Sequence, residues 1–287
     1  KHRDLFIELL SVFICVHMWL IFLCLSLNAQ TLAPGGPGKD AQWATAGKQA
    51  VGTSATLESK VWFTLAQGVM TEVYYPDVTV ANVHLLQFVV VNPKTKKVET
   101  EQDDTTQEIR SLSMKRDEKL FKLPSVTSVV EVRLSEIYKG VAFPNCLAFR
   151  RLTRSRTGGW CIYKTYITDP QTNAVLISVV FETHDPDNQL YVYYDPSLAN
   201  SGLGDTGWTE GRYFLSVDGS VASALTCGRC NITDAANGFF GVNDGLKQLR
   251  ENGKIIKPYI RAEKGNVVQV AKITPVSLNK KSPRTEM

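Results

Sequence analysis

Val61-Trp62-Phe63-Thr64-Leu65-Ala66-Gln67-Gly68-Val69-Met70-Thr71-Glu72-Val73-Tyr74-Tyr75-Pro76-Asp77 reads as two strands joined at Gln67-Gly68. Val, Phe and Leu alternate with Trp and Thr in the first arm. Val69, Thr71, Val73 and Tyr75 alternate with Met70, Glu72 and Tyr74 in the second. β-branched and aromatic residues suit a pleated, half-buried surface, and Gly supplies the backbone freedom of the turn. Pro76 ends the ladder because it has no N–H to donate. Trp62, Tyr74 and Tyr75 are left as broad, semi-polar faces near one rim. Such faces either stack on sugar rings and anchor a neighbouring domain, or fill a sandwich core.

The phrase VWFTLAQGVMTEVYYPDV resembles the N-terminal domain of bacterial glucoamylases and glucodextranases, inverting enzymes that release glucose from the ends of α-glucans. The resemblance runs, with gaps, from about Ala33 to about Ile273. It implies an all-β, antiparallel β-supersandwich of the galactose-mutarotase-like type. In the resembled family the acid and base of glycoside hydrolysis come from an (α/α) barrel that follows this domain. No such helical repeat stands here, nor GxSxG, HExxH or P-loop, so no carboxylate of this chain inherits a catalytic role. The implied work is contact: Trp62, Tyr74, Tyr75 and Asp77, with Asp169 and Asp205, facing the barrel or an α-glucan. Two other readings stand beside it, a free-standing carbohydrate-binding module and a mutarotase-like enzyme. The latter chemistry wants a His beside a carboxylate, and only His84 and His184 lie beyond the leader.

The 287 residues have the apolar and charged fractions of an ordinary globular protein, enough to bury a core without staples. A net charge of +4, with basic residues scattered outside Arg150–Arg156 and the tail, argues against a nucleic-acid partner. Lys1-His2-Arg3, the apolar run Leu9 to Leu25 and a small residue at Ala29 read as a signal peptide over 1–29, with an uncleaved anchor as the rival. Cleavage would leave a secreted or periplasmic protein with no membrane partner. The domain proper is then 30–275, and the basic tail 276–287 reads as disordered.

Within the domain, Ala33 to Asp40 is a turn-rich opening like that of the resembled family, and Val83 to Val91 reads as a buried strand. The family often carries Arg-Asp where His84-Leu85 stand, so His84 reads as a packed histidine. Glu99, Glu101, Asp103, Asp104 and Glu108 cluster. Ca²⁺ would suit such a cluster, but EF-hand spacing is absent, and solvated strand edges are the simpler expectation. Residues 115–145 form an atypical insertion for the family, with Val126 to Leu134 alternating as an extra strand. Further strands are expected over Trp160–Thr168, Ala174–Phe181 and Leu190–Asp195. A glycine-rich loop is expected over Asn200–Trp208, then a hairpin around Asp218-Gly219, a short helix over Leu246–Leu249 and a late strand over Gly265–Ala271.

Beyond the leader stand Cys146, Cys161, Cys227 and Cys230. Cys146 and Cys161 bracket a turn and could face each other across two strands. Cys227-Gly228-Arg229-Cys230 has the CxxC form. Disulfides or free thiols, structural zinc and redox work are the readings, in that order.

Overall fold

The computed structural model describes residues 32–40, 43, 46–54, 56–109, 128–132, 148–228 and 230–275. The expected leader 1–29, most of the insertion 115–145, Cys146 and the tail 276–287 lie outside the described residues.

The opening phrase forms β2 (Trp62–Ala66) and β3 (Val69–Tyr74). Gln67 and Gly68 both take positive φ, 51° and 81°, the left-handed pair that matches a two-residue turn to the twist of its strands. Trp62 stands opposite Tyr74 and Leu65 opposite Met70, with the register shifting between Phe63 and Leu65. Thr64 fills that shift: its Oγ1 accepts from Glu72 N at 3.0 Å and donates to Glu72 Oε2 at 2.9 Å.

This hairpin belongs to a nine-stranded sheet. Its path runs from β1 (Ala50–Thr53) through β2, β3, β5 (Leu85–Asn92), β12 (Gln189–Asp195) and β18 (Val267–Pro275) to β16 (Cys230–Phe239). β4 (Ala81–Val83) flanks β3, and β6 (Lys97–Thr100) flanks β5. A five-stranded sheet packs on it: β7 (Thr106–Ile109), β9 (Phe149–Ser155), β10 (Trp160–Thr168), β11 (Val175–Thr183) and β8 (Ser128–Val132). A four-stranded sheet completes the structure, ordered β15 (Val221–Thr226), β14 (Tyr213–Asp218), β13 (Asp205–Glu210) and β17 (Arg261–Gly265). All named pairings are antiparallel, so the all-β expectation holds.

Alternation sorts the core. Leu86, Phe88 and Val90 of β5, with Leu190, Val192 and Tyr194 of β12, face Ile162, Tyr166 and Phe181 of the second sheet. Val89, Val91, Tyr191 and Tyr193 face the other way, onto Leu249 of a short helix. Both faces of these strands are covered, which is why their sequences are mostly apolar, with Gln87 the polar residue in the middle of β5. Each fully buried large side chain contributes roughly 1.5–3 kcal/mol. The helix, α1 (Gly245–Asn252), is held at its start by Asp244, which accepts from Lys247 N at 2.9 Å. Gly253, at φ 70°, ends it.

Three expectations need correction. The run Val83–Val91 is broken at His84, which bends between β4 and β5. Asp205 to Trp208 lie in a strand, not a loop, because Gly207 lets Val267 approach: a Cβ there would meet Val267 Cγ1 at 2.7 Å. Glu99 and Glu101 are buried rather than solvated. Glu99 accepts from Trp160 Nε1 at 2.8 Å. Burial pushes its carboxyl up, but Trp160 and Lys97 outweigh that and hold it below the usual range. Glu101 pairs with the fully buried Lys164 and accepts from Phe88 N at 2.9 Å.

Candidate contact surface at the rim of the large sheet

The outward face of β2 and β3 is built by the turn and the Thr64 bulge. With Phe63 and Leu65 turned into the core, Trp62 and Thr64 face away from it, and Tyr74 lies directly across from Trp62. Glu72 follows Tyr74 on the same face. Its Oε2 accepts from the Tyr74 hydroxyl at 3.3 Å and pairs with Lys48. Lys48 Nζ also reaches Thr71 Oγ1 at 3.4 Å. Burial, then the Glu72 charge and hydrogen bond, raise the Tyr74 pKa, so the phenol stays protonated and donating. The result is an aromatic pair beside a carboxylate and an ammonium. That combination can stack on an apolar ring face and hydrogen-bond hydroxyls around it.

Beyond Tyr74 the chain turns outward. Tyr75 is exposed and its N–H donates to Val80 O at 3.0 Å. Asp77 is fully exposed and closes its own turn, accepting from Thr79 N at 2.8 Å and Thr79 Oγ1 at 2.6 Å. These bonds lower its pKa. A second loop abuts this one. Ser197, Ala199, Asn200 and Gly202 all take left-handed backbone angles there. Such angles are costly for residues other than Gly, so something must hold them. Asn200 Oδ1 accepts from Ala81 N at 2.7 Å, Asn82 Oδ1 accepts from Ala199 N at 3.0 Å, and both Asp205 oxygens accept from Leu198 N at 3.2 Å. Asp205 is therefore a buried brace beneath the rim, not a surface contact. Burial pushes its carboxyl up to about 7 despite the Leu198 bond, with the Asp218 and Asp195 charges adding to the rise.

His84 packs at the same corner. Its Nδ1 lies 2.8 Å from Asp195 Oδ2, and the Trp43 ring meets it edge-on at 6.1 Å. Asp169 is also buried, accepting from Gln171 N and Thr172 N at 2.8 and 3.1 Å to shape the β10–β11 turn. That turn touches the segment leading to Trp62: Pro170 O accepts from Thr56 Oγ1, and Asn173 Oδ1 accepts from Lys60 N at 2.8 Å. Of the six residues picked from the sequence, Trp62, Tyr74, Tyr75 and Asp77 thus share one rim, while Asp169 and Asp205 support it from below.

Sequence reasoning missed Lys48, Thr64 and Glu72. Only Glu72 carried a signal, a charge in phase with Trp62 and Tyr74. Cys227 and Cys230 form a disulfide, and Cys161 is buried and not disulfide-bonded. Cys161 therefore makes no bridge, and its thiol lies 3.7 Å from Glu182 Oε2. Burial pushes it up to about 12. Among the described residues no three His, Cys, Asp or Glu side chains gather as metal ligands, and no helix is long and apolar enough to cross a membrane.

Residues 33–285 match the family described as glucodextranase, domain N. The chain belongs to that family. A glucoamylase of Clostridium sp. (strain G0005) is 29% identical over 248 residues, covering 84% of this chain and 31% of the relative. A crystal structure of a bacterial glucoamylase complexed with acarbose superimposes with a TM-score of 0.67 at 27% identity, covering 88% of this chain and 33% of the other. The domain N chain thus spans about a third of the length of these glucoamylases and shares its fold with part of one.

Proposed function

We propose that this chain is the N-terminal accessory domain of a glucoamylase- or glucodextranase-type glycoside hydrolase. It packs against and steadies an (α/α) barrel that carries the bond-breaking carboxylates, and its rim meets α-glucan. The observation that carries this reading is the domain N match over 33–285, within a chain that spans about a third of a glucoamylase. The commitments of the buried acids support it. Glu99, Glu101, Asp169, Asp195 and Asp205 each hold a structural partner. The leader-like start and the Cys227–Cys230 disulfide favour a secreted or periplasmic setting, where disulfides persist. The test is Trp62→Ala and Tyr75→Ala in a longer polypeptide that includes the barrel. Either should lower its stability or its glucan turnover, and no change in both quantities rejects the assignment.

A second reading, a free-standing carbohydrate-binding module, is favoured by the Trp62–Tyr74 pair beside Glu72 and Lys48. Affinity electrophoresis on starch, dextran and maltodextrin separates the two, since in the accessory reading the rim meets glucan only with the barrel beside it. A module is retarded with the barrel absent, and a pure docking domain is not.

A further inference from the structure

Among the 287 residues stands one Asn-x-Ser/Thr triplet, Asn231-Ile232-Thr233, and its middle residue is not Pro. In exported proteins this is the acceptor triplet of N-linked glycosylation. The fold decides whether such a carboxamide can be reached, and here it can. The triplet lies near the start of β16, the last strand of the large sheet. Ile232 packs against the core, so its two neighbours point the other way. Asn231 and Thr233 are both exposed. Two positions apart on a strand, they share one face, which sets the acceptor amide beside the hydroxyl that the triplet requires.

The sheet is open beside them as well. Asn231 pairs with Thr274 and Thr233 with Lys272 of β18, and among the described residues no strand pairs with their other side. Asn237 on the same strand is the contrast. It is buried, and its Nδ2 donates to Thr209 Oγ1 at 2.9 Å, Tyr259 O at 3.0 Å and Ile260 O at 2.7 Å. Phe239 stands two residues on, where a hydroxyl would be needed. One asparagine of β16 is thus spent on the fold and the other is presented to solvent. The Cys227–Cys230 disulfide ends immediately before the triplet. Disulfides persist in the oxidising compartments of export, where oligosaccharide transfer also takes place.

We infer that Asn231 is an acceptor site for an N-linked oligosaccharide. The donor class is an oligosaccharide carried on a polyprenyl diphosphate. Asn231 Nδ2 forms a bond to the anomeric carbon as the bond from that carbon to the diphosphate oxygen breaks. The nitrogen gives up a proton, and the polyprenyl diphosphate leaves with the electron pair, so nothing is oxidised or reduced. A bulky, hydrated group beside the open edge of β16 also keeps foreign strands from adding to the large sheet. This inference rests on the export reading and not on the glucoamylase one.

The test is the mass of the chain secreted from a eukaryotic cell, once with its own first residues and once with a supplied secretory leader in place of 1–29. Both versions should be heavier than the sequence by an oligosaccharide. Peptide N-glycosidase should remove the excess and convert the Asn231 carboxamide to a carboxylate. Asn231→Gln and Thr233→Ala should abolish the excess while the chain is still secreted, and Thr233→Ser should retain it. An unmodified Asn231 in both versions overturns the acceptor site and leaves the export reading standing. Modification only behind the supplied leader overturns the export reading, and with it the modification of the protein as it stands. An excess that survives in Asn231→Gln contradicts the assignment.

Discussion

Two lysine–glutamate pairs hold the β2–β3 hairpin, one on each face. Lys164 and Glu101 sit inside the sandwich, with neither side chain exposed. Lys164 also donates to Gly68 O in the hairpin turn, and Glu101 takes Phe88 N on β5. Lys48 and Glu72 sit on the outward face, with 19% and 8% of their side chains exposed, sharing Tyr74, Thr64 and Thr71. The chemistry is the same and the role differs, because solvent differs. In the interior the desolvation cost is large, and Gly68 O and Phe88 N, as further partners of the pair, help offset it. At the rim water can still reach Lys48, and the aromatic pair beside it has an open side. The inward face of this hairpin is committed to the fold, and the outward face keeps Trp62 partly exposed beside Lys48.

The contrast breaks most readily at the inner pair. Lys164→Met strands a buried carboxylate and should cost about 3–5 kcal/mol, read as a lower urea midpoint at unchanged slope. A loss as small as that at Lys48 would erase the distinction.

The brace beneath the rim gives a pH effect of intermediate size. The folded Asp205 carboxyl holds its proton up to about 7, against 3.8 for the free group. Between those values the folded chain binds the extra proton. This contribution to stability is therefore complete below about pH 4 and is lost as pH rises through about 7. Asp205→Asn should flatten that slope in melts taken from pH 4.5 to 8. Asp195, Asp218 and His84 stand close by, so the slope compared is that of the variant against the parent.

Lys48→Met should cost only about 1 kcal/mol or less, as partly solvated pairs do, while weakening any retention on maltodextrin gels. Trp62→Ala should also cost far less than Lys164→Met, about 1 kcal/mol, because 36% of the residue is exposed. Its consequence should appear in glucan retention or turnover. A large destabilisation there would make Trp62 a core residue.

The two regions also differ in how legible they were. The hairpin, the β13-to-β15 alternation and the capped helix are local patterns, and residues a few positions apart carry them. Glu101 looked like an exposed edge charge because its partner lies 63 residues on. Lys164 did leave a trace, standing in phase with Trp160, Ile162 and Tyr166 on the inward face of β10. Asp205 to Trp208 read as a loop because Gly202, Gly204 and Gly207 crowd together. Only contact with Val267 explains why Gly207 belongs in a strand. The rim aromatics were legible from their alternation. Lys48 joined them through the fold alone.

Purified chain incubated with soluble starch, with released glucose measured over time, addresses the account most directly. A domain whose buried acids Glu99, Glu101, Asp169, Asp195 and Asp205 serve its own architecture should release none. Steady glucose release by the chain without a barrel would contradict that.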